Sequence, residues 1–215
     1  MKPKQSSKLL GAMALAGLMA LPVTAAAKEA GDLLIRLRGI GVVPEVSGTT
    51  DAVGGSADVS DRYTPELDFT YFFTDNIAAE LILATTKHRV SVNNSTAGNL
   101  DLGTVRTIPP ALTLQYHFQP DQMVSPYLGA GIQYIMIVDE NPGASVTSVS
   151  YSDPFGFTLQ GGVDIFFNDR WSLNLDVKKS FLSTDVKVNG GAINANNVDL
   201  DPWIFGVGIG VLVGG

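Results

Sequence analysis

Residues 155–167 read Phe-Gly-Phe-Thr-Leu-Gln-Gly-Gly-Val-Asp-Ile-Phe-Phe, and after Asn168-Asp169-Arg170 residues 171–178 read Trp-Ser-Leu-Asn-Leu-Asp-Val-Lys. Every second residue is apolar. Phe155, Phe157, Leu159, Val163, Ile165 and Phe167 share one side, with Thr158, Gln160 and Asp164 on the other. Trp171, Leu173, Leu175 and Val177 then oppose Ser172, Asn174, Asp176 and Lys178. Side chains alternate across a strand with period two, so this stretch predicts a hairpin with one greasy and one polar face. A soluble sheet alternates in the same way. Runs of about ten alternating residues flanked by aromatics are, however, what a transmembrane β-barrel requires.

The same unit recurs along the chain. Strands are expected at Leu33–Val43, Arg62–Phe73, Ile77–His88, Val105–Phe118, Ser125–Val138 and Val198–Val213, with the opening hairpin supplying the sixth and seventh. Long polar loops are expected at Pro44–Asp61, Arg89–Thr104, Asp139–Asp153 and Leu182–Asn197, alternating with short turns. Even strand number, alternating connections and aromatic-flanked strands together predict an all-β, eight-stranded antiparallel transmembrane barrel of the outer-membrane kind, both termini on the short-turn, periplasmic side. In hydrocarbon an open sheet edge leaves backbone groups bare, so the last strand must pair with the first. Arg36 and Arg38 must point inward, because an arginine facing lipid at the bilayer midplane costs roughly 2–4 kcal/mol.

The first 27 residues read as a secretory signal peptide: Lys2, Lys4 and Lys8, an apolar run from Leu9 to Val23, and Ala25-Ala26-Ala27 as cleavage site. The barrel domain is then 28–215, with eleven basic against 21 acidic residues and a net charge of −10. Such an acidic chain is a poor nucleic-acid binder. It contains no cysteine, and no cofactor is expected.

Three blocks carry a family resemblance. Asp201-Pro202-Trp203-Ile204-Phe205-Gly206, followed by Gly208 and Gly210, resembles the C-terminal signature of the OmpW family of outer-membrane proteins, which includes alkane-uptake relatives. Residues 171–179 followed by Thr184-Asp185-Val186 are similar to its seventh strand, and Pro126-Tyr127-Leu128-Gly129-Ala130-Gly131 to its fifth. The resemblance implies a narrow, largely apolar lumen giving passive passage to small hydrophobic solutes, with a lateral exit through the wall. The family usually ends in an aromatic residue read by the barrel-assembly machinery; this chain departs from that with Leu212-Val213-Gly214-Gly215.

By size alone, an eight-stranded barrel fills its interior with side chains. The resemblance instead implies an open path lined by the inward residues Leu34, Ile40, Val42, Ile82 and Ile204. Pro109-Pro110, which cannot donate ladder hydrogen bonds, are the candidate lateral exit. The inward charges Arg36, Arg38, Glu66, Asp68, Glu80, Asp164, Asp176 and Lys178 are expected to pair in the lumen. The other reading is a structural or surface-recognition barrel, an adhesin or phage or toxin receptor, with a plugged lumen. Expected partners are outer-membrane lipid and lipopolysaccharide, small hydrophobic solutes and the assembly machinery. No enzyme is expected, because His88 and His117 fall at opposite ends of the barrel and no Ser lies in a nucleophile motif. The acidic residues Asp51, Asp58, Asp61, Asp139, Glu140 and Asp153 read as solvated loops rather than a calcium site, and no metal is expected.

Overall fold

The computed structural model describes residues 28–47, 54–191 and 193–214; the expected signal peptide lies outside them. The strands are β1 Leu33–Val43, β2 Ser56–Val59, β3 Arg62–Phe72, β4 Ile77–Ala84, β5 Thr86–Ser95, β6 Gly98–Ile108 and β7 Ala111–His117. They continue as β8 Val124–Tyr134, β9 Met136–Pro142, β10 Val149–Tyr151, β11 Phe155–Phe166, β12 Trp171–Val188, β13 Ile193–Asp199 and β14 Trp203–Val213. Eight of these close a barrel in the order β1, β3, β4, β7, β8, β11, β12, β14. Closure is complete: β14 pairs antiparallel with β1 from Leu33↔Val213 to Val43↔Trp203. The first and last barrel strands therefore leave no free sheet edge between them, as the hydrocarbon demands.

The alternation sorts the side chains as expected. Leu81, Leu114, Leu128, Phe157 and Phe205 are exposed on the outside, Leu114 at 60%. Inside, Arg36 and Glu80 are completely buried. On β14 the inward positions are Gly206, Gly208 and Gly210, opposite Ile40, Arg38 and Arg36 of β1. A Cβ on Gly208 would stand 2.3 Å from the Leu37 carbonyl oxygen and 2.6 Å from Arg38 Cγ. These glycines leave the room that two lumenal arginines occupy. Short turns close one end. In one of them Asn168 Oδ1 accepts the backbone N–H groups of Arg170 and Trp171 at 2.9 and 2.8 Å, the local bond that makes Asn a turn residue.

The other end differs from the expected long loops. Arg89–Thr104 is not a loop: β5 and β6 form a hairpin inside a second sheet of order β2-β5-β6-β9. β12 likewise runs on to Val188, where β10 and β13 flank it. The eighth barrel strand begins at Trp203 rather than Val198, which belongs to β13. The physical reason is solvent. Beyond the membrane the outer face of a sheet meets water, so Lys87, Arg89 and Ser91 alternate with buried His88, Val90 and Val92. The high polar content that suggested a loop is one face of a strand.

Candidate functional site

The barrel interior is layered. At the short-turn end Leu34, Phe72, Ala78, Phe166 and Leu212 form an apolar cluster. Lys28 enters beside it, its Nζ 5.7 and 5.3 Å from the ring centres of Phe72 and Phe166. The ammonium donates to Ser125 Oγ at 2.7 Å and lies 3.2 Å from Asp164 Oδ2. It is also 2.9 Å from His117 Nδ1.

Above it the expected charges come together in one layer. Arg36 Nε meets Asp68 at 2.8 Å, its Nη2 meets Glu80 at 2.9 Å and its Nη1 meets Asp164 at 3.1 Å. Arg38 reaches Glu66, Asp68, Glu80 and Asp176 at 2.9, 2.7, 2.8 and 3.4 Å. Lys178 bridges Glu66 at 2.9 Å and Asp176 at 2.8 Å. Tyr127 donates to Asp176 at 2.7 Å, and Asn174 donates to Asp164 at 2.9 Å. The side chains are essentially dry, and the layer closes the bore across the membrane. Sequence reasoning missed Lys28, Tyr127 and Asn174. Lys28 lies before the first strand and carries no alternation signal; Tyr127 and Asn174 fall on expected strands, but nothing in their spacing marks a shared partner.

On this charged floor sits an apolar cavity of about 150 Å³. Ile40, Val42 and Ile204 pack together on one wall, and Ile82 joins from β4. Above them the two outer sheets contribute Val90, Val92, Val105, Val186 and Val188, so the apolar lining continues beyond the barrel. An apolar cavity of this order holds a benzene-sized guest. Leu34, named with the other four from sequence, sits apart in the short-turn cluster, with the charged layer between. The apolar lining is therefore interrupted rather than continuous along the axis.

Four prolines, Pro44, Pro109, Pro154 and Pro202, line the waist where barrel strands hand over to the outer sheets. At one of these the wall is weakly stitched. β4 pairs with β7 as far as Ile82↔Ala111, and β5 with β6 only from Thr86↔Thr107. Between them residues 83–85 face 108–110 without ladder pairs, a stretch of about 10 Å at the rise of a strand. Pro109 and Pro110 have no N–H to give. The cross-link that does bridge it is a side chain, Thr85 Oγ1 to the Thr107 carbonyl at 3.3 Å. The other flank is tied, since Tyr134 N–H donates to Pro110 O at 3.1 Å. Ala84, Pro109 and Ala111 line the cavity side of this seam, and exposed Leu83 and Leu112 flank it outside.

His88 lies in the outer sheet, its Nδ1 2.8 Å from the Ser60 carbonyl oxygen, and burial lowers its pKa. His117 is in the bore near the short-turn end, far from any shared site with His88. Among the described residues no group of three or more His, Cys, Asp or Glu side chains is arranged to hold a metal ion.

A closed eight-stranded barrel with a lipid-facing exterior, a charged plug and an apolar cavity above it defines a small integral outer-membrane barrel. The chain belongs to the OmpW family: the family model matches residues 29–212. It is 41% identical over 178 residues to the uncharacterized outer-membrane protein y4mB of Sinorhizobium fredii, covering 81% of this chain and 77% of that one. It is 34% identical over 210 residues to outer membrane protein W of Escherichia coli, covering 92% and 96%. In three dimensions it resembles the outer membrane protein OprG of Pseudomonas aeruginosa at a TM-score of 0.81 and 26% identity, over 89% of this chain and all of that one.

Proposed function

We propose that the protein passes small hydrophobic molecules from outside the cell into the outer membrane, without catalysis, and that the passage turns sideways. In this reading the short turns and both termini face the periplasm and the outer sheets face the medium. A solute enters between the outer sheets, loses its hydration against Val90, Val105 and Val186, and settles on Ile40, Val42, Ile82 and Ile204. The charged layer below is a poor next step, because an apolar solute could cross it only by separating buried ion pairs, which costs several kcal/mol. The unpaired seam at Pro109-Pro110 offers the alternative, with cavity on one side and hydrocarbon on the other.

The observation that carries this reading is the stacking of an apolar cavity on a sealed ionic floor. Uptake of a hydrophobic solute into vesicles, comparing wild type with Val42→Arg and Ile82→Arg, tests it. Each arginine puts a charge into the cavity wall, and uptake is expected to fall at least tenfold while the barrel still folds. Uptake equal to wild type in both variants contradicts it. That outcome favours the second reading, a recognition barrel, which the same ionic plug would also suit.

A further inference from the structure

The chain carries 14 Lys and Arg, three of them in the first 27 residues. Four of the remaining eleven, Lys28, Arg36, Arg38 and Lys178, are buried in the bore. Of the seven left, four gather in one place. Lys87 and Arg106 are direct cross-strand partners on β5 and β6, and both are exposed on the outer face. Arg89 follows Lys87 on the same face, two residues on. Arg62 reaches them from β3, its Nε donating to the Lys87 carbonyl at 2.5 Å. In an acidic protein this is a marked concentration of positive charge.

The arrangement costs stability as it stands. Like charges directly opposite each other on a strand pair are destabilising. Asp139 is the partner of Arg106 on β9, Asp58 lies on β2, and Asp61 precedes Arg62. Even so, none of the four cations forms an ion pair among the described residues, whereas the buried cations each hold at least one carboxylate. The patch also has a defined height. Leu83, the last lipid-facing apolar residue of β4, lies four residues below Lys87 across the break between β4 and β5, and Ile108 lies two residues below Arg106 on β6. Four residues of strand span about 13 Å, so the cations stand where hydrocarbon gives way to headgroups.

We infer that Lys87, Arg89, Arg106 and Arg62 form a binding site for the phosphate groups of the glycolipid in the outer leaflet, the lipid A part of lipopolysaccharide. A guanidinium grips phosphate oxygens in a fork, and a lysine adds a point charge. The lipid rather than a free anion is the occupant because the patch borders the apolar wall that its acyl chains cover. This rests on the orientation proposed above but not on solute passage. Docking there seats the β5–β6 hairpin, and with it the seam at its base, against the membrane surface.

The test is titration of the purified barrel with diphosphoryl lipid A, read as bound lipid by native mass spectrometry. Each cation near an anionic surface strengthens attachment about fivefold, so the paired variant Lys87→Gln/Arg106→Gln is expected to bind about 25-fold more weakly. The variant Arg170→Gln/Lys187→Gln, with exposed cations elsewhere, is expected to bind as wild type does. Should the first variant fail to fold, wild type alone decides, because phosphate pairing weakens with added salt and is lost with dephosphorylated lipid A. Equal affinity for the dephosphorylated lipid overturns the inference. So does equal weakening by the two paired variants, or displacement of the lipid by millimolar inorganic phosphate, which would mark a free-anion site. Hydrophobic solute uptake is measured alongside, and its loss or survival bears on the passage alone.

Discussion

Replacing Arg38 by Met removes the most shared cation in the bore. Its guanidinium lies within 2.7 to 3.4 Å of four carboxylates. Breaking one buried pair by deleting a partner costs about 3–5 kcal/mol. The cost here is not four times that, because every carboxylate keeps another cation. Asp68 and Glu80 retain Arg36, and Glu66 and Asp176 retain Lys178. What the substitution adds is one uncompensated charge in a dry layer that already holds five carboxylates, including Asp164, against four cations, including Lys28. Arg38→Met is therefore expected to destabilise the barrel by about 3–5 kcal/mol. Adding Glu80→Gln removes a facing carboxylate and should return more than half of the loss, since residues in one ion-pair network couple strongly. The assay is urea unfolding in lipid vesicles, followed by the fluorescence of Trp171 and Trp203, which sit at opposite ends of the barrel. A single variant within about 1 kcal/mol of wild type, or two changes that simply add, would refute the picture of a sealed ionic floor.

Three further outcomes follow. Gly208→Val should cost about 1–3 kcal/mol or block assembly, because its Cβ meets the Leu37 carbonyl oxygen at 2.3 Å, while Gly39→Ala, whose Cβ meets only the Val207 oxygen at 4.0 Å, should be nearly silent; heat-modifiable gel mobility reports both. The outer sheets should loosen in mild acid. The His88 pKa is lowered by burial, with Arg62 adding and the Ser60 hydrogen bond opposing, so its contribution is present above the ordinary imidazole value of about 6.5 and is lost as pH falls below it. The protection of β5 amides against hydrogen exchange, corrected for the slower intrinsic exchange in acid, should fall between about pH 7 and pH 5 in wild type but not in His88→Gln. Charge in the cavity wall, tested with Val42→Arg and Ile82→Arg, should abolish uptake without unfolding the barrel.

Much of this architecture is legible from a period of two. The barrel strands, their inward and outward faces and the need for β14 to meet β1 follow from alternation plus the rule that no backbone stays unpaired in hydrocarbon. The eight inward charges were legible because charge on a lipid face is so costly. The outer sheets were not, since strands with one face in water and one on a small core resemble loops in composition, as Thr86–Ser95 shows. Nor was the division between Leu34 and the other apolar lumen residues. Parity says which way a side chain points but not which layer it joins, and the layer is set by the arginines of the same strand. Pro109-Pro110 announced an interruption. That it coincides with three unpaired positions against β4 and β5 depends on register, which a lone strand does not reveal.

Restoring the missing donors at the seam is the most direct test. In Pro109→Thr/Pro110→Val position 109 regains an N–H on the seam side and position 110 regains one on the Tyr134 side, so the ladder between Ile82↔Ala111 and Thr86↔Thr107 can close. Uptake of a hydrophobic solute by cells or vesicles carrying this variant should fall towards that of protein-free membranes, with the barrel folded and at least as stable as wild type. Uptake that continues at the wild-type rate through the zipped wall would contradict a sideways exit at this position.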